Sequence, residues 1–185
     1  MSREIYLDID GVCVDFIRPA FRAHGLEPDP LLGVWARDHV GDFFPHHGLG
    51  IDVDAFWTSI ANAGERFWTD LEPYPWFQTL FSRLSELGHV VFCTSTTRAP
   101  SSASGKLRWI QKRFGREYAD FILTAHKDRL AHPNAFLIDD YDANVEKFSQ
   151  RGGHGIVFPQ FWNSNHAVAD QRIDYVIHRI IESTR

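Results

Sequence analysis

A chain of 185 residues, 44% hydrophobic and 14% aromatic, is long enough for one domain with a sizeable core and too apolar to be disordered. Its 24 acidic and 19 basic residues leave a formal net charge of -5 without a run of like charge, which excludes a broad basic face for duplex nucleic acid but admits a small anionic ligand. No stretch approaches the ~18 apolar residues of a membrane span, and the Met-Ser-Arg-Glu start lacks the apolar segment of a signal peptide, so the expected location is cytoplasmic.

The first predicted strand is Ile5-Tyr6-Leu7 with Ile9, and it closes on two acids, Asp8 and Asp10, before the turn residue Gly11. The next stretch, residues 18–72, breaks the pattern: Trp35, Phe43, Phe44, Trp57, Phe67 and Trp68 lie among Pro, Gly and His, with one predicted helix around residues 54–63. This reads as a small, mainly helical cap inserted after the first strand, placed where a lid closes over a ligand. Its paired histidines, His46 and His47, lack metal-ligand spacing and read as surface loop residues.

Beyond the insert, a helix is predicted over residues 76–87, where Phe77, Leu80, Phe81, Leu84 and Leu87 recur at helical spacing before Gly88. A strand follows at Val90-Val91-Phe92-Cys93, and a helix carrying Leu107, Ile110 and Phe114 ends at Gly115. Strands at Phe121–Leu123 and Ala135–Ile138 come next, then a helix with Val145 and Phe148 stopped by Gly152-Gly153, then a last strand at Gly155–Phe158. These strands are too uniformly apolar for a sheet with one wet face. Strands alternating with helices imply an α/β fold, a doubly wound parallel sheet covered on both faces, with residues 1–17 and 73–185 as its core and 18–72 as the cap. Cys13 and Cys93 adjoin apolar runs and read as buried free thiols.

Parallel strands place their carboxyl ends along one edge, where ligands bind. Asp8 and Asp10 share that edge with Thr94-Ser95, Lys127 and Asp139-Asp140, each group following a different predicted strand. Taken singly, such acids are ordinary strand-end or capping residues, a role open to Asp15 as well. Taken together, the set suits phosphoryl transfer. Asp8 and Asp140 offer the hard oxygen ligands that Mg²⁺ prefers, and hydroxyls with Lys127 suit phosphoryl oxygens.

Asp8-Ile9-Asp10-Gly11-Val12, Cys93-Thr94-Ser95, Lys127 and Leu137-Ile138-Asp139-Asp140 resemble the four ordered motifs of the haloacid dehalogenase superfamily of phosphohydrolases. Asp15-Phe16, Leu71-Glu72-Pro73, Phe92-Cys93-Thr94-Ser95 and Ile122-Leu123-Thr124-Ala125-His126-Lys127 extend the likeness to its 5′(3′)-deoxyribonucleotidase family. The resemblance implies a Rossmann-like core and a Mg²⁺-dependent phosphatase in which Asp8 is the nucleophile and Asp10 the general acid and base. It implies metal ligation by Asp8, the backbone carbonyl of Asp10 and Asp140, with Lys127 compensating charge and Asp139 and Asn144 in support.

By the same resemblance Phe16 stacks on a base, Thr94 and Ser95 bind phosphoryl or sugar oxygens, and Arg98 lies near the phosphate. Phe44 and Trp68, with Phe43 and Trp57, are candidates to complete a base-sized slot, the alternative for each being a place in the core of the insert. One departure is Ala125, where the family usually carries a basic residue. His126 reads as a polar loop residue. The expected substrate is a small phosphomonoester, foremost a deoxynucleoside 5′- or 3′-monophosphate. Rival readings are a phosphatase for another metabolite or a nucleic-acid 3′-phosphate, and a catalytically silent binding domain. Apolar surface on the insert is compatible with a homodimer.

Overall fold

The computed structural model describes residues 3–44 and 50–183. His46 and His47 lie outside the described residues. Five parallel strands form one sheet: β1 (Glu4–Leu7), β2 (His89–Thr94), β3 (Phe121–Leu123), β4 (Ala135–Asp139) and β5 (His154–Val157), in the order β3-β2-β1-β4-β5. The strand at the centre is the first in sequence, flanked by β2 with Leu7 beside Phe92 and by β4 with Leu7 beside Ile138. The chain therefore winds outward in both directions from β1, and its site lies at the switch point beyond the carboxyl ends.

Alternation along the strands builds two hydrophobic layers. Ile5, Leu7, Phe92, Phe136 and Ile138 face one way and pack with α4 (Phe77–Ser85), α5 (Pro100–Phe114) and α7 (Arg172–Glu182). Tyr6, Cys93, Ala135 and Leu137 face the other way and pack with Phe148 of α6 (Asp142–Gln150). Both cysteines are free and buried.

Between β1 and α4 the described residues hold α1 (Ile17–Ala23), α2 (Pro28–Asp38) and α3 (Val53–Thr69), where the sequence pointed to a helix only within the third. Pro28, Pro30 and Gly33 make α2 read as loop, yet Pro28 opens the helix at the position where a missing amide hydrogen costs nothing. Asp52 begins α3 by accepting the Ala55 amide at 2.7 Å, and Gly64, at φ 72°, kinks it. At the neck, Asp15 N donates to Glu72 O and Tyr74 N to Cys13 O, so the outgoing and returning segments run side by side.

The insert is seated on the core through α3 and α5. Gly105 makes the contact close, since a Cβ there would lie 2.5 Å from Trp68 Cβ and 2.7 Å from Glu65 O. That approach brings Trp68 and the residue after Gly105, Lys106, to the sheet edge.

Candidate active site

The turn after β1 sets out the first two carboxylates. Asp8 N donates to Ile138 O at 2.9 Å, which locks Asp8 to the edge of β4, and Gly11 then reverses the chain at φ 71°. Gly11 has a second requirement: a Cβ at this position would lie 1.9 Å from Asp140 Oδ2. Gln160 Nε2, from the segment after β5, donates to Gly11 O at 2.5 Å and holds the turn.

Lys127 opens a 3₁₀ turn (Lys127–Leu130) and is only 2% exposed. Its Nζ lies 2.6 Å from Asp139 Oδ2 and 2.9 Å from Asp8 Oδ1. Burial by itself lowers the lysine pKa, but Asp139 and then Asp8 outweigh it, and the net shift is upward, so Lys127 is charged. Asp139 is fully buried, its Oδ1 accepting from Tyr141 N at 2.9 Å and its Oδ2 from Asn144 Nδ2 at 3.0 Å as well as from Lys127. Asp140 accepts at Oδ2 from Trp162 Nε1 at 2.9 Å, and its carbonyl accepts from Asn163 Nδ2 at 2.9 Å.

Asp10 belongs to a second lysine. Its Oδ2 accepts from Lys106 Nζ at 2.6 Å, and Lys106 also donates to Thr94 Oγ1 at 2.8 Å and Ser95 O at 2.6 Å. Asp10 Oδ1 is buried with no hydrogen-bond donor, although 28% of the side chain is exposed.

Oxygens of Asp8, Asp139 and Asp140 lie within 4.8 Å of one another, a spacing able to hold a cation. Of the three, Asp139 has both oxygens taken, by Lys127, Asn144 and Tyr141, whereas Asp8 and Asp140 each meet a protein donor at one oxygen only, which makes them the better-placed side-chain ligands. Four carboxylates, Asp8, Asp10, Asp139 and Asp140, face two ammonium groups, Lys106 and Lys127. An excess of two negative charges among hard oxygen donors fits a divalent ion such as Mg²⁺.

The burial of these carboxylates shows in their pKa values. Asp10, Asp139 and Asp140 are all held above the ordinary value of 3.8, in each case by burial first. Lys106 pulls Asp10 back, Lys127 pulls Asp139 back, and neighbouring carboxylates push Asp140 further up. A raised folded-state value stabilises the protein below the unfolded value and is lost as pH rises through the folded one. The metal-free protein is therefore expected to melt higher at about pH 5 than at about pH 8. Magnesium at about a hundredfold its Kd should raise the melting temperature at the higher pH by about 5–10 °C. No response to magnesium would count against a cation at this cluster.

Above the carboxylates opens a cavity of about 470 Å³, lined at its base by Asp8, Asp10, Thr94, Ser95, Lys127 and Asp140. Its upper wall includes Phe16, Phe43, Phe44, Trp57, Tyr141 and Trp162. Phe44 and Trp57 are 37% and 42% exposed and stand at this wall. Phe16 is backed by Trp68, with ring centroids 5.7 Å apart at 25°. Trp68 itself is buried and does not line this cavity; it borders an adjoining cleft with Asp10, Ser95 and Arg98. Arg98 is likewise confined to that cleft rather than the main cavity, because the chain turns outward after Ser95. Asn144 lines the cavity and reaches Asp139, while Asp15 accepts the Arg18 amide at the start of α1.

Lys106, Trp162, Gln160 and Asn163 were missed by sequence reasoning. Lys106 had a signal, since it falls on the buried face of α5 with Ser102, Gly105, Trp109 and Ile110, where a lone charge is out of place. The other three follow the last strand in a segment without periodicity.

The profile of the family described as "5′ nucleotidase, deoxy (Pyrimidine), cytosolic type C protein" matches residues 48–176, a span that includes Thr94, Lys127 and Asp140 but not Asp8 or Asp10. Among solved structures, the chain is similar to a predicted phosphatase from Clostridium acetobutylicum, with TM-score 0.57 and 12% identity over 98% of this chain and 99% of that one. It is similar also to a hydrolase from Streptococcus pneumoniae TIGR4, with TM-score 0.53 and 12% identity over 90% and 98% of the two chains. A third is CbbY from Rhodobacter sphaeroides in complex with phosphate, with TM-score 0.50 and 18% identity over 89% of each. These identities speak to fold, an α/β sheet with flanking helices. No curated protein matches the chain.

Proposed function

The chain belongs to the family of cytosolic type C 5′ nucleotidases, deoxy (pyrimidine), and is a phosphatase; from that premise we propose that it hydrolyses deoxynucleoside 5′- or 3′-monophosphates through an aspartyl-phosphate. The observation that carries the reading is the meeting of Asp8, Asp10, Lys127 and Asp140 beneath an aromatic-walled cavity. We assign Asp8 as nucleophile: a carboxylate oxygen bonds to phosphorus as the ester oxygen departs, and Asp10 donates the proton which that oxygen needs. In the second half Asp10 takes a proton from water, the water oxygen bonds to phosphorus, and Asp8 is released with inorganic phosphate. Lys127, charged and in contact with Asp8, offsets negative charge on the transferring group. A bound Mg²⁺, held by Asp8, the Asp10 carbonyl and Asp140, would supply further charge compensation.

Residues 18–72 form the lid in this reading, and Phe16, Phe44 and Trp57 offer flat faces to a base. The family's description as cytosolic supports a cytoplasmic enzyme, and among the described residues no helix is long and apolar enough to cross a membrane.

The test is phosphate release from deoxy- and ribonucleoside 5′- and 3′-monophosphates, sugar phosphates and a 3′-phosphorylated oligonucleotide, with magnesium or chelator. Selective, magnesium-dependent release from deoxynucleotides is expected; turnover confined to other esters would discard the substrate and keep the chemistry. Phe16→Ala should reduce kcat/KM on the nucleotide by about 10- to 100-fold, the worth of one base stack. The same variant should leave a minimal aryl phosphate little affected. Equal losses on both would make Phe16 a structural residue.

A further inference from the structure

The charge on α5 has no role in the chemistry above. Lys106 is 2% exposed, stands over the Trp68 ring at 5.0 Å, and spends its ammonium on Asp10 Oδ2, Thr94 Oγ1 and Ser95 O. An ammonium group has three protons, and three acceptors take them. None is left for a substrate, so any effect of Lys106 on turnover must pass through the groups it holds.

Each of those groups faces the cavity, and each is changed by the contact. Asp10 is tethered through one oxygen to a helix of the core, which fixes the carboxylate in one rotamer. Thr94 accepts from Lys106, so its hydroxyl proton must point elsewhere, and Thr94 becomes a donor suited to a phosphoryl oxygen. Ser95 is fixed at both ends, its carbonyl by Lys106 and its hydroxyl by donation to Thr124 O at 3.2 Å. With that proton spent, Ser95 Oγ offers lone pairs and suits a sugar hydroxyl rather than a phosphoryl oxygen.

We propose that Lys106 is a positioning residue, which orients Asp10 for proton transfer and sets Thr94 as a donor, without touching the substrate. The role rests on the acid–base reading of Asp10 given above. A buried pair that merely fastened α5 to the sheet would affect all substrates alike through the amount of folded enzyme. A residue acting through Asp10 would instead slow formation of the aspartyl-phosphate selectively, for esters whose leaving group needs a proton.

Lys106→Met, which keeps the stem and removes the charge, is therefore measured in single turnover, so that formation of the aspartyl-phosphate is read apart from its hydrolysis, on a deoxynucleotide and on p-nitrophenyl phosphate, whose leaving group departs unprotonated. The expected result is a fall in the rate of leaving-group release from the nucleotide of about 100-fold or more, the scale of general acid catalysis, with KM within about threefold and a much smaller loss in that step on the aryl ester. Equal losses on both esters, or a rise in KM alone, would overturn the proposal. Should the single variant fail to fold, Asp10→Asn and Asp10→Asn with Lys106→Met are compared, since the pair loses both buried charges together. Nucleotide turnover differing by less than about threefold between these two is expected, because residues acting as one unit are not additive. An additional loss as large as a general acid is worth would overturn the positioning role alone. Wild-type turnover by Asp10→Asn would overturn its premise and the proposal with it.

Discussion

Asp8→Asn is expected to reduce turnover by at least about 10⁴-fold on every substrate, because an amide cannot form the acyl phosphate and no neighbouring group can take its place. Asp139 is engaged by Lys127, Asn144 and Tyr141, Asp140 by Trp162, and Asp10 by Lys106. The fold should survive the change. Removing one of four carboxylates that face two lysines lowers the charge excess, so the metal-free variant should melt no lower than the parent. Phosphate release and thermal melting on the same preparation separate the two effects. Turnover within about 100-fold of the parent by a folded variant would remove Asp8 as the nucleophile.

Lys127→Met should lose turnover and stability together. Methionine fills nearly the same volume, so no cavity is made, but Asp8 and Asp139 would be left facing each other without their shared cation. Breaking a buried pair from one side costs about 3–5 kcal/mol, which for a chain of this size lowers the melting temperature by about 6–20 °C. The lysine keeps its charge at any ordinary pH. Lys127 titrates above its usual 10.5, so its stabilisation is full below that value and is lost only as pH rises through the raised one. Adding Asp139→Asn should recover part of the stability and none of the turnover, since the second change removes one of the two unpaired carboxylates but does not restore the cation at Asp8. A single variant melting within about 2 °C of the parent would contradict a desolvated ion pair at this position.

The two lysines divide the site between them, one on Asp8 and Asp139, the other on Asp10 and Thr94. Lys127 was legible because it follows a short apolar strand, at a place where a strand end meets the ligand edge. Lys106 was legible only as a charge out of place on the buried face of α5, because a lysine inside an amphipathic helix ordinarily faces water; its partners follow from the packing of Gly105 against Trp68. Trp68 and Arg98, both expected at the substrate, stand together at the adjoining cleft with Asp10 and Ser95, and Trp68 also backs Phe16. An aromatic or basic residue near a motif announces a contact, but its direction depends on how the following loop turns.

In the insert, the stretch with helical spacing was readable and α2 was not, since its two prolines and glycine carry turn signals that tertiary contacts override. Trp35 of that helix stacks on Trp162 at 5.6 Å, joining insert to core through two residues far apart in sequence.

By itself, the sequence determined the five strands, their parallel winding and the identity of the strand-end acids. Parallel strands buried on both faces must be continuously apolar, and a carboxylate at the end of such a run stands out. Only the tertiary structure decided that β1 lies at the centre, that Asp10 is held by a lysine from α5, and that Trp162 reaches Asp140. Those contacts join residues 22 to 96 positions apart, and local periodicity holds no information about pairs that chain reversal brings together.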